Sequence, residues 1–351
     1  MKVLLLASVL VLSSIGHAQT RAEKVQAKLD EMPEAKWWQV MDTGPFISDT
    51  FREFGGGDVA VLKGIAIKLG PNEDHTIVFD TETARMVAGF QGNVTLAGTP
   101  WDGKHGGNSS MPAERNKYFF TTRWGPGWAV DGDWTDPREL DNGLANGPLP
   151  DELAEFIGLY RHEDYTVLNY TAGGTAILEI PRIIEGHLVR SLELSTVLKP
   201  LQLLLSDPLS EGVGKGRSDP ISISIKGFQG AKLKSLESGR EVVEIPAGKA
   251  GQLHIIYKRG KGNAPEPENL DFASFIEGGA KQFPEKIEVS GRLGPSEGTY
   301  SVDSIPLPSD NPWRSEIRFG AYDFFPDGKR VACSTWNGDV WIADGIDGDL
   351  S

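Results

Sequence analysis

Tyr165-Thr166-Val167-Leu168-Asn169-Tyr170-Thr171-Ala172-Gly173-Gly174-Thr175-Ala176-Ile177-Leu178-Glu179-Ile180 decides the fold. β-Branched and aromatic residues fill both arms, and a Gly-Gly pair stands where a two-residue hairpin needs positive φ, so two antiparallel strands are specified. Further short apolar runs follow at Leu188–Leu194, Leu201–Leu205, Ile221–Ile225, Glu241–Ile245 and Leu253–Tyr257. Their regular spacing, with little helical periodicity, predicts an antiparallel β-sandwich-like region over residues 151–312. Lys261–Asn269, with two prolines and a glycine, reads as a linker within or just after it.

Working toward the N-terminus, the alternation Gly64–Leu69 is a strand signal. Thr76–Phe79, Met86–Phe90, Val94–Ala97 and Tyr118–Thr122 are further strand-like runs closed by turn residues. Residues 19–150 are thus expected to form an N-terminal β-rich domain. It opens with one short helix within residues 20–40, where Val25, Leu29 and Met32 recur at helical spacing and Pro33 ends the pattern. It closes with a Gly/Asp/Trp-rich stretch from Trp124 to Pro150, read as a long surface loop. Residues 1–18 have the form of a cleavable secretory signal: Lys2, the apolar run Val3–Leu12, and small residues ending at Ala18. That run is too short to span a bilayer, so a periplasmic or extracellular location without a transmembrane span is expected.

The formal net charge is −14 and the densest basic cluster is Lys258-Arg259-Gly260-Lys261, which excludes nucleic acid as an expected partner, because phosphate binding needs a concentrated positive face. Cys333 is the only cysteine, so the chain forms no internal disulfide and its stability must come from packing. The same count leaves no Cys-x-x-Cys-His haem attachment, cysteine-rich zinc site or iron–sulfur cluster within these residues. Cys333 itself lies in a strand-like run and reads as a buried, inert thiol.

At the C-terminus, Pro326-Asp327-Gly328 and Asn337-Gly338 separate the apolar runs Tyr322–Phe325, Val331–Thr335 and Val340–Ile342. Two tight hairpin turns in about thirty residues are the local grammar of a β-propeller blade. The fold class expected is therefore mainly β: antiparallel sandwich-like domains followed, over residues 313–351, by the first hairpins of an incomplete propeller.

The order of these features resembles bacterial multi-domain proteins in which an exported N-terminal domain of unknown function precedes a propeller similar to quinone-dependent sugar dehydrogenases, often followed by c-type cytochrome domains. The residues carrying the resemblance are Lys63–Gly70, Phe79–Gly89, Gly125–Ala129, Gly158–His162 and the segment from Phe325-Pro326-Asp327-Gly328 to Asp339–Gly345. The resemblance implies an architecture rather than an activity. It places haem c or a quinone in a C-terminal part beyond this chain, and makes the rest of the propeller and the cytochrome domains the expected partners. No cofactor is expected in the chain itself.

No complete catalytic site is legible. The histidines lack His-x-x-x-His spacing, no Gly-x-Ser-x-Gly elbow occurs, and Gly55–Gly57 is not followed by the Lys-Ser/Thr of a phosphate loop. No metal site is expected, since Asp131–Asp136 and Asp344–Asp349 resemble calcium loops but lack the terminal bidentate Glu. The unusual feature is aromatic: Trp101, Trp124, Trp128 and Trp134 are interleaved with Asp102, Asp131 and Asp133. Indoles rimmed by carboxylates stack on and hydrogen-bond neutral sugars, which makes these residues a candidate carbohydrate contact, set against the plainer account that the indoles fill a core. Arg161 and His162 could supply acid–base groups, or form a charged turn ahead of a strand. Three functions follow: a non-catalytic module of a sugar-oxidising or electron-transfer protein; a carbohydrate-active enzyme with paired carboxylates in the Trp/Asp loop, which would have to face each other across a cleft; and a structural cell-surface protein.

Overall fold

The computed structural model describes residues 42–52, 54, 60–97, 109–141, 144–162, 165–207, 220–277, 280–281, 283–308, 311–312, 317–335, 339–347 and 350, together with 26, 27 and 30. The secretory signal lies outside these residues, as does most of the leading helix, of which Gln26, Ala27 and Asp30 are helical.

In chain order the strands are β1 (Phe46–Arg52), β2 (Ala60–Leu69), β3 (His75–Asp80), β4 (Arg85–Gln91), β5 (Ser109–Ser110), β6 (Tyr118–Thr121) and β7 (Trp128–Val130). A two-residue ladder, β8 (Leu140–Asp141) and β9 (Leu144–Ala145), precedes β10 (Ala154–His162), β11 (Tyr165–Ala172), β12 (Thr175–Ile184), β13 (His187–Leu194) and β14 (Leu201–Ser206). The remainder are β15 (Ile221–Lys226), β16 (Lys232–Ser235), β17 (Glu241–Ile245), β18 (Gly251–Arg259), β19 (Phe319–Phe324), β20 (Arg330–Thr335) and β21 (Val340–Asp344). The chain is mainly β, and every pairing between these strands is antiparallel except β1 with β5.

Three sheets surround the main core. Sheet I has the order β5-β1-β2-β3-β4-β6, sheet II the order β10-β11-β12-β13-β18-β15, and sheet III the order β16-β17-β14-β7. Ile67, Phe79 and Phe120 of sheet I, Tyr170, Leu192 and Tyr257 of sheet II, and Trp128, Leu203 and Val243 of sheet III belong to one buried cluster. Residues on both sides of position 150 contribute to it. Alternation turns the register partners Val78 and Ala88 to the opposite face of sheet I, and a bulge at Val87 lets that residue join them in a second cluster with Phe51, Phe90 and Tyr118. Sheet I is thus buried on both faces, which is why β3 and β4 read as nearly unbroken apolar runs.

Turn chemistry sets the register. Gly173 and Gly174 take φ of 54° and 75°, and Ala172 pairs with Thr175, so the hairpin closes in two residues as its sequence requires. The stretch Trp124–Pro150 departs from the expected surface loop. Trp128 and Ala129 are buried, and β7 adds to sheet III against β14. The Gly/Asp turns on either side conceal a strand of only three residues.

At the centre of the core lies an ion pair. Arg190 Nε donates to Glu179 Oε1 at 2.6 Å and Nη2 to Oε2 at 3.3 Å, while the Tyr170 hydroxyl donates to Oε2 at 2.7 Å. All three residues are at most 1% exposed. Burial alone would lower the Arg190 pKa, but the adjoining Glu179 carboxylate reverses this and holds the guanidinium firmly protonated.

The outward face of sheet II is crossed by a strap. Beyond the bend-rich segment after β18, Glu266 pairs with Lys226 on β15, Asn269 meets His254 on β18, and Leu270 is clamped by Gln252 on β18. One helical turn, Phe272–Phe275, then buries Phe272 against Val167 of β11 and Ile180 of β12, and Arg161 of β10 donates to the Ala280 carbonyl. The strap therefore runs from one edge strand of the sheet to the other. The expected linker 261–269 is its first half.

β19, β20 and β21 form a separate three-stranded antiparallel sheet. Phe283 stacks on Trp341 at 5.0 Å, whereas Tyr322, Phe324, Val340 and Ile342 are more than half exposed. The Pro326-Asp327-Gly328 turn lies between β19 and β20 as its sequence specifies. Asn337-Gly338 lies outside the described residues.

Candidate functional site on the outer face of sheet III

β7 ends at Val130, and the next two residues reverse the chain. Asp131 and Gly132 take φ of 53° and 81°, and the Asp133 N–H returns to the Val130 carbonyl at 3.0 Å. Asp tolerates the left-handed region and Gly adopts it freely, so Asp-Gly suits this two-residue turn. The reversal lays Trp134 beside β14, where its indole N–H donates to Gln202 Oε1 at 2.9 Å. Gln202 Nε2 donates to Glu244 Oε1 at 3.0 Å, and Lys234 Nζ donates to the same oxygen at 2.7 Å.

The register explains this row. Ala129, Gln202, Glu244 and Lys232 are successive partners across β7, β14, β17 and β16. Leu201, Leu203, Val243 and Ile245 point into the main core, so the alternate positions Gln202 and Glu244 point outward. The Arg240 guanidinium lies 5.5 Å from the Trp134 ring centroid and pairs with Asp207 at 2.9 Å. The Lys234 hydrogen bond, aided by that of Gln202, holds Glu244 below the usual carboxylate range. Thr135 does the same for Asp133 through its hydroxyl and its N–H. The result is a flat face offering an indole, an amide, a carboxylate and an ammonium group, equipped to stack on and hydrogen-bond a polar ligand. Among the described residues, no nucleophile hydrogen-bonded to a neighbouring base belongs to it.

The other residues singled out in the sequence are placed elsewhere. Trp124 is half-buried, with the guanidinium groups of Arg85 and Arg138 at 5.9 and 5.7 Å from its ring. Arg85 is fully buried, pairs with Asp80 at 3.3 Å and donates to the carbonyls of Thr122 and Arg123. Arg138 makes a two-point pair with Asp136 at 2.9 and 2.7 Å. Trp124 is therefore held by cations within the fold. Trp128 is 3% exposed in the core, 6.2 Å from Tyr170. Arg161 and His162 lie at the end of β10 in sheet II, where Arg161 holds Ala280 and His162 meets Phe275 edge-on at 5.3 Å. They anchor the strap. Trp101 and Asp102 lie outside the described residues.

Of the described candidates, only Asp131, Asp133 and Trp134 are brought together on this face, and the two carboxylates sit on one exposed turn rather than facing each other across a cleft. Gln202, Glu244, Lys234 and Arg240 were not foreseen. Their trace in the sequence was a polar residue inside each of two apolar strands, Leu201–Leu205 and Glu241–Ile245, but the partnership between those strands was not legible. Among the described residues, no three His, Cys, Asp or Glu side chains converge as metal ligands. No helix among them is long and apolar enough to cross a membrane. A cleft of about 380 Å³ opens where the end strands β6, β15 and β16 meet, walled by Phe119, Ile223 and Leu233. Its Asp207 is already committed to Arg240 and to the Arg123 N–H.

No curated protein and no solved structure matches the chain. Residues 77–179, from β3 to β12 and including the Trp134 turn, match the family described as "Domain of unknown function (DUF6797)".

Proposed function

We propose that this chain is an exported, non-catalytic β module of a larger sugar-oxidising or electron-transfer protein, and that the Trp134 face of sheet III is its carbohydrate contact. The observation carrying the reading is the row Trp134–Gln202–Glu244–Lys234 on the outward side of a sheet. An indole fixed by its own N–H presents a rigid apolar plate, and the polar groups beside it suit hydroxyl groups. The relocation of Trp124 and Trp128 into packed surroundings narrows the aromatic contact to Trp134 among the described tryptophans of the original loop. Catalysis, with haem c or a quinone, belongs in this reading to propeller and cytochrome domains C-terminal to the module. In keeping with this, β19–β21 is a three-stranded sheet with apolar side chains exposed on both faces, as an opening blade would be before a neighbouring blade packs on it.

The test is retention of the full chain on a panel of immobilised glycans. The wild type is expected to be retarded by at least one neutral glycan, with Trp134→Ala and Gln202→Ala abolishing retardation while leaving the thermal transition within a few degrees. Absence of retention on every glycan, or retention unchanged in Trp134→Ala, refutes the assignment. N-terminal sequencing of secreted protein, expected to begin at Gln19, tests export.

A further inference from the structure

The strap over sheet II is fastened at its middle by a buried histidine with a hydrogen-bond partner on both ring nitrogens. His254 and Ser191 are direct register partners on β18 and β13, and they are 2% and 0% exposed. Arg182 Nη2 donates to Ser191 Oγ at 3.0 Å, and the same oxygen lies 2.9 Å from His254 Nδ1. Nε2 lies 3.2 Å from Asn269 Oδ1, so a neutral ring protonated at Nε2 donates to the strap and accepts the Ser191 hydroxyl hydrogen at Nδ1. The imidazole is wedged between the sheet and the strap, with a hydrogen-bond partner on each side.

Beside it, the Gln252 side-chain amide imitates a strand edge: Nε2 donates to the Leu270 carbonyl at 2.5 Å and Oε1 accepts from the Leu270 N–H at 2.9 Å. The charged groups around His254 include Arg182 on β12, Glu193 on β13, which accepts from Gln252 Nε2 at 3.4 Å, and, on β15, Lys226, which is its register partner and is paired to Glu266 of the strap. No described carboxylate makes an ion pair or hydrogen bond with the ring. Protonation would add a second positive charge beside Arg182 at a buried site. Burial, with Arg182 adding to it, accordingly depresses the His254 pKa although the Asn269 hydrogen bond works the other way.

We propose that segment 266–277 is a pH-sensitive strap, latched over sheet II while His254 is neutral and released when the imidazole gains a proton and seeks water. Linkage fixes the direction. The latched state binds fewer protons than the released one, so latching is strongest above the ordinary histidine pKa of about 6.5 and weakens as pH falls through and below it. Release lifts Phe272 from Val167 and Ile180 and frees the path of the chain toward the C-terminal sheet.

Hydrogen exchange of the full chain, read on peptides covering 268–276 and corrected for intrinsic rates, tests the proposal at about pH 7.5 and pH 5.5. A released imidazole of ordinary pKa is charged roughly ten to one at the lower pH, so the open population of the strap should rise by up to about tenfold. Protection of β12 and β13 should not change. His254→Gln should abolish the rise. Asn269→Ala, on the exposed side of the latch, should raise strap exchange at both pH values and flatten its pH dependence. Equal strap protection at both pH values in the wild type overturns the proposal. So does a rise that persists in either variant, or one shared equally by β12 and β13.

Discussion

Removing Glu179 should be among the most damaging single changes to this protein, and removing Arg190 along with it should undo most of the damage. In Glu179→Leu, Arg190 would remain protonated in a core where it is 1% exposed, with Nε and Nη2 stripped of their acceptors. Breaking one side of a buried pair costs about 3–5 kcal/mol, whereas replacing both sides with apolar groups is often neutral or stabilising. The Tyr170 hydroxyl loses its acceptor in either case, which costs about 1–3 kcal/mol for a buried donor. Glu179→Leu is therefore expected to lose about 4–8 kcal/mol. Glu179→Leu combined with Arg190→Met should lose no more than about 1–3 kcal/mol, the share belonging to Tyr170. Urea unfolding followed by tryptophan fluorescence provides the assay, because Trp128 lies 6.2 Å from Tyr170 and reports on this part of the core. A double variant no more stable than Glu179→Leu alone would refute the argument, since the cost would then lie in packing volume rather than in an abandoned charge.

Three further outcomes are expected. Gly127→Ala should destabilise sheet III by at least about 2 kcal/mol in the same assay, because a Cβ there would overlap the Ala84 carbonyl, a backbone group that cannot swing away. Gly89→Ala should cost about 1–3 kcal/mol, as its Cβ would come within 2.5 Å of Leu188 Cδ2 and 2.9 Å of Phe120 Cε1, where sheets I and II meet. Burial, reinforced by Glu179, pushes the Tyr170 phenol well above its ordinary pKa, and burial raises Tyr257 to about 12. Both therefore favour the native state at neutral pH and lose that contribution as pH climbs above about 10, where the unfolded phenols ionise. Spectrophotometric titration of the folded protein should leave at least two of the seven tyrosines largely un-ionised at pH 11, and prompt ionisation of all seven there would show that the core is open.

The strands were legible where burial leaves a mark on short range. β11 and β12 declare themselves through β-branched arms around Gly173-Gly174, and β3 and β4 through apolar runs that sheet I buries on both faces. β7 was not legible, because three residues between Gly/Asp turns carry too little periodicity to stand out from a loop. β1 and β10 were missed for a different reason: Phe46–Arg52 and Ala154–His162 mix exposed polar positions with bulges, at Asp49–Phe51 and Phe156–Gly158, which break the two-residue period. The candidate face shows the same limit. Asp131-Gly132 and Trp134 could be picked out individually, yet Gln202 and Glu244 are 68 and 110 positions further on than Trp134, and only sheet order makes them neighbours. Composition identified an aromatic loop, but Trp124 and Trp128 enter packed surroundings because of arginines and core residues that local sequence does not pair with them.

The strap also determines how the protein bears tension. A pull on residues beyond Ala280 reaches sheet II first at Arg161, then at Phe275, Phe272, Leu270, Asn269 and Glu266, each held by a different contact. Load arriving in that order peels attachments one at a time across the strands instead of shearing a ladder of backbone hydrogen bonds. The strap would yield in small steps at low force while β10 to β18 stay paired, so the segment can lengthen and reseat without cost to the sheet that carries it.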